Sequence, residues 1–230
     1  MTAFLLTVIS GKAAGELVAV ADTVSFGVIQ EAEGPKTVKT YLKNIGDSPA
    51  AIMRVRPTCG CTGADYQKSE IMPGDSAWIE LTYNPRHRPG KIDKAVKIFP
   101  AEGEMIRLPI SGKVIASEET LDRLFPVRAG SLRLTETTLL PPAPMEDIVK
   151  TLFIDVYNPS ECPITPKIVS NHQAVEAESM PEAIPPGERG TIVIYLYPRK
   201  EDRKGPIEYT LTLQSENEQP TEITIKTSKK

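Results

Sequence analysis

The feature that most constrains this 230-residue chain is an internal repeat. Asn44 and Asn158 stand 114 residues apart, Pro73-Gly74 and Pro186-Gly187 stand 113 apart, and Tyr83-Asn84-Pro85-Arg86 is echoed 113 residues on by Leu196-Tyr197-Pro198-Arg199. Three marks at nearly one offset mean that one structural unit is built twice. A period of this size is a whole small domain per repeat, far longer than the roughly 20 to 50 residues of a solenoid unit.

Within each repeat, apolar residues recur with a period of two. Ser76 to Tyr83 places Ala77, Ile79, Leu81 and Tyr83 on one face and Trp78, Glu80 and Thr82 on the other, as a half-buried strand requires. The same alternation runs through Val24, Phe26 and Val28, through Val38, Thr40 and Leu42, and through Ile106, Leu108 and Ile110. It returns in Leu152, Ile154 and Val156, in Ile192, Ile194 and Leu196, and in Tyr209, Leu211 and Leu213. Turn signals separate these runs: Asn44-Ile45-Gly46-Asp47, Pro73-Gly74, Pro89-Gly90, Asn158-Pro159 and Pro186-Gly187. The predicted fold is therefore all-β, two tandem immunoglobulin-like antiparallel β-sandwiches. Ser117 to Leu124, with Ser117 as N-cap, is the one stretch that reads as helix. The expected partition is a signal-peptide remnant over 1–16, a first sandwich over 17–115, a linker over 116–129 and a second, divergent sandwich over 130–230. The charged run from Ala116 to Arg123 is the expected first site of limited proteolysis.

The apolar run Ala3 to Ile9, followed by Ala13-Ala14-Gly15, has the hydrophobic and small-residue regions of a secretory signal, without the basic start. The other reading is a buried first strand. The run is too short to span a bilayer, and the first thiol, Cys59, is too far on to carry an amino-terminal lipid. The expectation is an extracytoplasmic chain, periplasmic or secreted, whose mature form begins near Glu16. With 27 Lys and Arg against 30 Asp and Glu, a net charge of -3 and a pI near 5.6, nothing suggests nucleic acid as a partner.

Chemistry-bearing motifs are few. Two histidines allow no His-Glu-x-x-His pair, and neither a Gly-x-Ser-x-Gly elbow nor a phosphate loop occurs. No catalytic residue, cofactor or metal ligand is nominated. His87 lies in the cationic loop Pro85 to Gly90 and reads as part of a solvated turn, as does His172 beside Asn171. Trp78 with Tyr83, or Tyr195 with Tyr197, could stack on a sugar, but each alternates within a strand and reads better as core or sheet surface. Carboxylates are dispersed.

The order Ser25-Phe26-Gly27, Lys43-Asn44-Ile45-Gly46, Cys59-Gly60-Cys61-Thr62, Pro73-Gly74, Tyr83, Gly90 and Ser111-Gly112 resembles the bacterial Cys-Gly-Cys-Thr family of unknown function. That family is similar to the immunoglobulin-like domains of hydin and major sperm protein, and its members are mostly envelope-associated. The resemblance covers about Ala21 to Val114. It makes Phe26, Gly27, Asn44, Gly46, Cys59, Gly60, Cys61, Thr62, Pro73 and Gly74 the family-motif positions, and it implies a fold rather than a reaction. The second repeat keeps only Asn158 and Pro186-Gly187.

Cys59 and Cys61 are the one pair with chemical content. Two residues apart on an extended strand, their Cα atoms would lie about 6.6 Å apart, near the limit for a disulfide, and Gly60 could shorten that. A structural bridge, two packed thiols, a redox pair and a soft-metal site all remain open. Cys162 is expected to be a free, buried thiol. Taken together, the sequence points to a non-enzymatic binding or scaffold protein of the bacterial envelope. It would recognise an unidentified protein or envelope partner through loops or strand edges. Thiol redox or soft-metal handling through Cys59 and Cys61 is the alternative.

Overall fold

The structure is a computed structural model that describes residues 15–142, 148–197, 207–215 and 218–227. The apolar run expected to be a signal remnant and the charged stretch Arg199 to Lys204 lie outside the described residues. The chain is all-β, and each repeat forms two facing sheets. In the first, β1 (Leu17–Ala19), β3 (Lys36–Asn44), β6 (Ser76–Tyr83) and β5 (Thr62–Tyr66) make one sheet in the order β1-β3-β6-β5. The other sheet has β2 (Val24–Gln30), β8 (Ile106–Ile115), β7 (Gly90–Pro100) and β4 (Ile52–Pro57), in the order β2-β8-β7-β4.

The second repeat copies this plan. Strands β9 (Val127–Ala129), β10 (Leu132–Leu134), β12 (Lys150–Tyr157), β15 (Arg189–Leu196) and β14 (Val175–Met180) give the order β14-β15-β12-β10-β9. Facing them, β11 (Thr138–Leu139), β17 (Thr221–Lys226), β16 (Glu208–Gln214) and β13 (Lys167–Ser170) give β11-β17-β16-β13, with β11 parallel to β17. In both repeats the chain leaves one sheet at the end of β4 or β13 and enters the other at β5 or β14. That corner turns out to matter.

The period-two pattern does what was expected of it. Ala77, Ile79, Leu81 and Tyr83 are buried on the inner face of β6, and Ile154, Val156, Ile192 and Ile194 lie in the core of the second repeat. Each buried Ile, Leu or Val among them contributes about 1.5 to 3 kcal/mol of transfer free energy. The run Val24, Phe26, Val28 needs correction: Val28 is 54% exposed and Ile29 1% exposed. Gly27, at φ +63°, shifts the alternation by one residue, so the strand turns a different side chain inward.

Helix α1 (Glu118–Leu124) begins where expected, with the Ser117 hydroxyl accepting from the Thr120 N–H at 3.2 Å, two acids in its first turn and Arg123 in its last. The stretch 116–129 thus holds a helix and strand β9. Leu121, Phe125 and Tyr157 form a small buried cluster, and the Tyr157 phenol accepts from the Ala116 N–H at 3.1 Å. By packing, one compact unit contains, of the described residues, those up to Gly27 with Pro35–Asn84 and Asp93–Gly112. The other contains Val28–Gly34, Pro85–Ile92 and the described residues from Lys113 on.

Candidate interaction site

The family-motif positions separate into two clusters at opposite ends of β3 and β6. At one end sits Asn44, whose side chain is fully buried. Its Nδ2 donates to the Ser48 and Ile71 carbonyls at 2.8 and 2.9 Å, and its Oδ1 accepts from the Gly46 and Glu16 N–H groups at 3.0 and 3.2 Å. Its carbonyl accepts from Gly74, which sits at φ +83° as the Pro-Gly turn demands. Asn158 repeats the arrangement, donating to the Cys162 and Ile184 carbonyls at 2.8 Å each and accepting from Ser160, while Gly187 donates to its carbonyl. The repeat seen in sequence is therefore a repeated staple that ties each sheet's strand end to the following loop.

At the other end lies the corner between β4 and β5. Cys59 and Cys61 are joined by a disulfide, with Cα atoms 5.3 Å apart; the two residues occupy a turn rather than an extended strand, which is why the distance falls below the strand value. Cys61 and Thr62 are buried, Cys59 half-buried. The Asn84 N–H donates to the Cys61 carbonyl at 2.8 Å, Thr62 pairs with Tyr83, and the Tyr83 ring packs 5.7 Å from Phe26. Phe26 and Thr62 thus meet at Tyr83, with both sulfurs of the bridge beside the Thr62 hydroxyl at 3.5 and 3.8 Å, while Asn44, Gly46, Pro73 and Gly74 belong to the far end. The matching corner of the second repeat has His172, whose Nδ1 accepts from the Ala174 N–H at 3.1 Å and whose ring lies 5.1 Å from Tyr209. Cys162 is exposed, contrary to expectation, because it lies in the loop after Asn158, where the Asn158 and Ser160 side chains hold its carbonyl and its own side chain is left in water.

His87 is likewise not part of a freely solvated turn. It adopts φ +57°, and its N–H donates at 2.6 Å to Glu31, whose side chain is buried in the same unit. Glu31 also accepts from the Thr120 hydroxyl at 2.6 Å and from the Ser117 N–H and hydroxyl at 2.9 and 3.2 Å. Because Thr120 gives its one proton to Glu31, the 2.9 Å contact between Thr120 Oγ1 and His87 Nδ1 has the imidazole as donor. Burial alone would raise the Glu31 pKa, but these four hydrogen bonds outweigh it and hold the carboxyl below its ordinary value. Sequence reading missed Glu31 because its partners are 56 to 89 residues away.

The aromatic candidates divide. Trp78 and Tyr83 point to opposite faces of β6, Tyr83 into the core and Trp78 outward beneath Lys39, whose ammonium lies 5.5 Å from the ring and pairs with Glu80 at 2.9 Å. Tyr195 and Tyr197 lie on the outer side of the five-stranded sheet and donate to Glu178 and Glu176 at 2.8 and 3.0 Å, which raises both phenol pKa values. The register of β12, β15 and β14 sets three rows on that outer face: Asp155, Thr191 and Met180; Phe153, Val193 and Glu178; Thr151, Tyr195 and Glu176. Phe153 is 59% exposed and Met180 50% exposed at its centre and side, with carboxylates along the rim. An apolar centre with a polar rim is the anatomy of a recognition surface. The sequence did carry a signal for it: Leu152-Phe153-Ile154 and Ile192-Val193-Ile194 break the alternation by placing apolar residues on both faces.

Among the described residues no three His, Cys, Asp or Glu side chains gather to hold a metal, and no helix is long and apolar enough to cross a membrane. A cavity of about 290 Å³ beside Cys162 is lined by Ser131, Ser160, Ser215 and Glu218. The carboxylate there accepts from the Ser131 and Ser215 hydroxyls and from the Ser131 N–H at 2.6 Å.

Residues 17–114 match a family described as protein of unknown function (DUF1573). No curated protein matches the chain. Among solved structures, a protein of unknown function from Porphyromonas gingivalis W83 is 14% identical, with 92% of this chain and 99% of that one covered and a TM-score of 0.37. The YadV chaperone is 13% identical over 91% and 98% of the two chains, with a TM-score of 0.33. The Pseudomonas aeruginosa CupB2 chaperone is 9% identical over 90% and 98%, with a TM-score of 0.31.

Proposed function

We propose that the chain is a non-enzymatic binding or scaffold module working outside the cytoplasm, in the bacterial envelope, and that it recognises a protein partner. The observation that carries this reading is the outer face of the β14-β15-β12 sheet, where Phe153 stands exposed among Val193, Tyr195 and Met180 inside a rim of Asp155, Glu176 and Glu178. An exposed aromatic on a rigid sheet is a typical anchor of protein recognition. Among the described residues β14 is an edge strand, and its edge continues the same surface, in line with recognition through strand edges. The Cys59–Cys61 bridge supports an oxidising compartment, and the Cys-Gly-Cys-Thr order of the first repeat supports kinship with envelope proteins of hydin-like fold. Thiol redox or soft-metal handling is the weaker reading, since each sulfur of the pair is taken by the other.

The test is a photo-crosslinking amino acid in place of Phe153, expressed in cells of the source organism. A discrete protein adduct in the envelope fraction, absent when the probe replaces the exposed Lys43 of β3, is the expected result. No adduct above that control would overturn the binding role of this face.

A further inference from the structure

We propose that the partner of this face is a second copy of the chain, which presents the outer face of its own β2-β8-β7-β4 sheet, so that copies join head to tail. This rests on the reading of the β14-β15-β12 face as a binding surface and names its occupant.

The argument starts from a rule the first repeat obeys on one sheet and breaks on the other. Opposite charges facing each other across a strand pair favour pairing, and like charges oppose it. On the β3-β6 pair, Lys39 faces Glu80 and the two form an ion pair at 2.9 Å. On the β4-β7 pair, Arg56 faces Lys97, both exposed. Next to them Arg54 faces Phe99, with its guanidinium 4.8 Å from the ring centre, a stacking that fixes the charge in place on the sheet surface. On the adjacent strand β8, Arg107 alternates with buried Leu108 and so shares that outer face. Among the described residues none of these four cations has an ion-pair partner. No carboxylate of the described residues offsets their mutual repulsion; an incoming anionic surface would.

The chain's own second unit carries a surface that fits. Glu176 and Glu178 are two residues apart on edge strand β14, as Arg54 and Arg56 are on edge strand β4, so both pairs repeat about every 6.6 Å on one side of an extended strand. Each glutamate gives one oxygen to a tyrosine hydroxyl and keeps the other for a guanidinium. Asp155 extends the acidic rim, and no Lys or Arg occurs in the three rows around Phe153. On the basic side, Met53, 67% exposed at the register shift of β4, and the half-buried Phe99 supply apolar surface to meet Phe153 and Met180. Since each copy carries one face of each kind, the contact is heterologous.

Sedimentation velocity of the purified chain tests this. The expected result is a rise in mean mass with concentration up to about 0.1 mM, reversed by about 0.5 M salt. R54E/R56E and E176K/E178K should each weaken self-association about tenfold or more, and an equimolar mixture should restore it, because one variant keeps a native acidic face and the other a native basic face. All four positions are exposed, and an unchanged thermal midpoint shows that the variants fold. A wild-type chain that stays monomeric, or a mixture that fails to associate, overturns the inference. Retention of a monomeric wild type on a sulfated polysaccharide, lost in R54E/R56E, would assign the basic face to a polyanion instead. A crosslink from position 153 to a different protein defeats this inference but leaves the binding role intact; no crosslink defeats both.

Discussion

Removing the carboxamide of Asn44 or Asn158 strands buried groups on both sides of it. For Asn44→Ala, two carbonyls and two N–H groups each lose a hydrogen bond, although the Ile71 carbonyl keeps the one from the Ala50 N–H, so an unfolding free-energy loss of about 2 to 4 kcal/mol is expected in urea titrations. A loss under about 0.5 kcal/mol would show that water replaces the side chain without cost. Glu31 gives a pH-dependent counterpart. Its folded pKa lies below the ordinary value, so its contribution is fully present above about pH 4.3 and is lost as pH falls further through the folded pKa. Glu31→Gln should therefore cost stability at pH 7 and progressively less toward pH 3; an equal cost at both would contradict the assignment. At the cysteines, a native alkylation time course should label Cys162 quickly and leave Cys59 and Cys61 unlabelled until a reductant is added. The sequence revealed Asn44 and Asn158 as markers of a repeat, but their role as staples depends on carbonyls 26 or 27 residues away, which no local pattern records.

At the scale of the element, α1 changes what proteolysis should show. Thr120 and Leu121 are buried, Phe125 lies 5.7 Å from the Tyr157 ring, and Glu31 holds the Ser117 N–H. First cleavage between Ala116 and Arg123, expected for an open charged linker, should not occur; Ser117→Ala should make it appear, since it removes both the cap and a donor to Glu31. Mass mapping of the first fragments decides the matter. Helix and N-cap were legible because Ser followed by two acids is a local signal, whereas the burial of so short a helix comes from Tyr157 and Glu31, both distant in sequence. Strand β2 taught the reverse lesson. Its alternation was readable up to Phe26, and only the positive φ of Gly27 reverses it. Outward-facing positions were harder still, because Phe153 and Arg56 announce themselves only once the register gives them neighbours.

At the scale of the whole molecule, two repeats of one topology differ at the corner where the chain changes sheets. One corner is closed by Cys59 and Cys61, the other by the imidazole of His172. The doubling itself was legible from three marks at nearly one offset, since turn glycines and strand-end asparagines are fixed by backbone geometry that both copies share. Reduction of the bridge should then lower the stability of the unit containing it by about 1 to 2 kcal/mol and leave signals from the second repeat unmoved, as residue-resolved hydrogen exchange would record. The bridge spans only two positions of sequence. So tight a ring excludes few conformations of the unfolded chain, and its sulfurs meet at high effective concentration whether or not any sheet has formed. Cys162, a hundred residues further on, is a poor competitor for either of them. Oxidation can therefore be complete before the sheets have formed, so that the state of this corner reports the redox potential of the surroundings rather than whether the chain has folded.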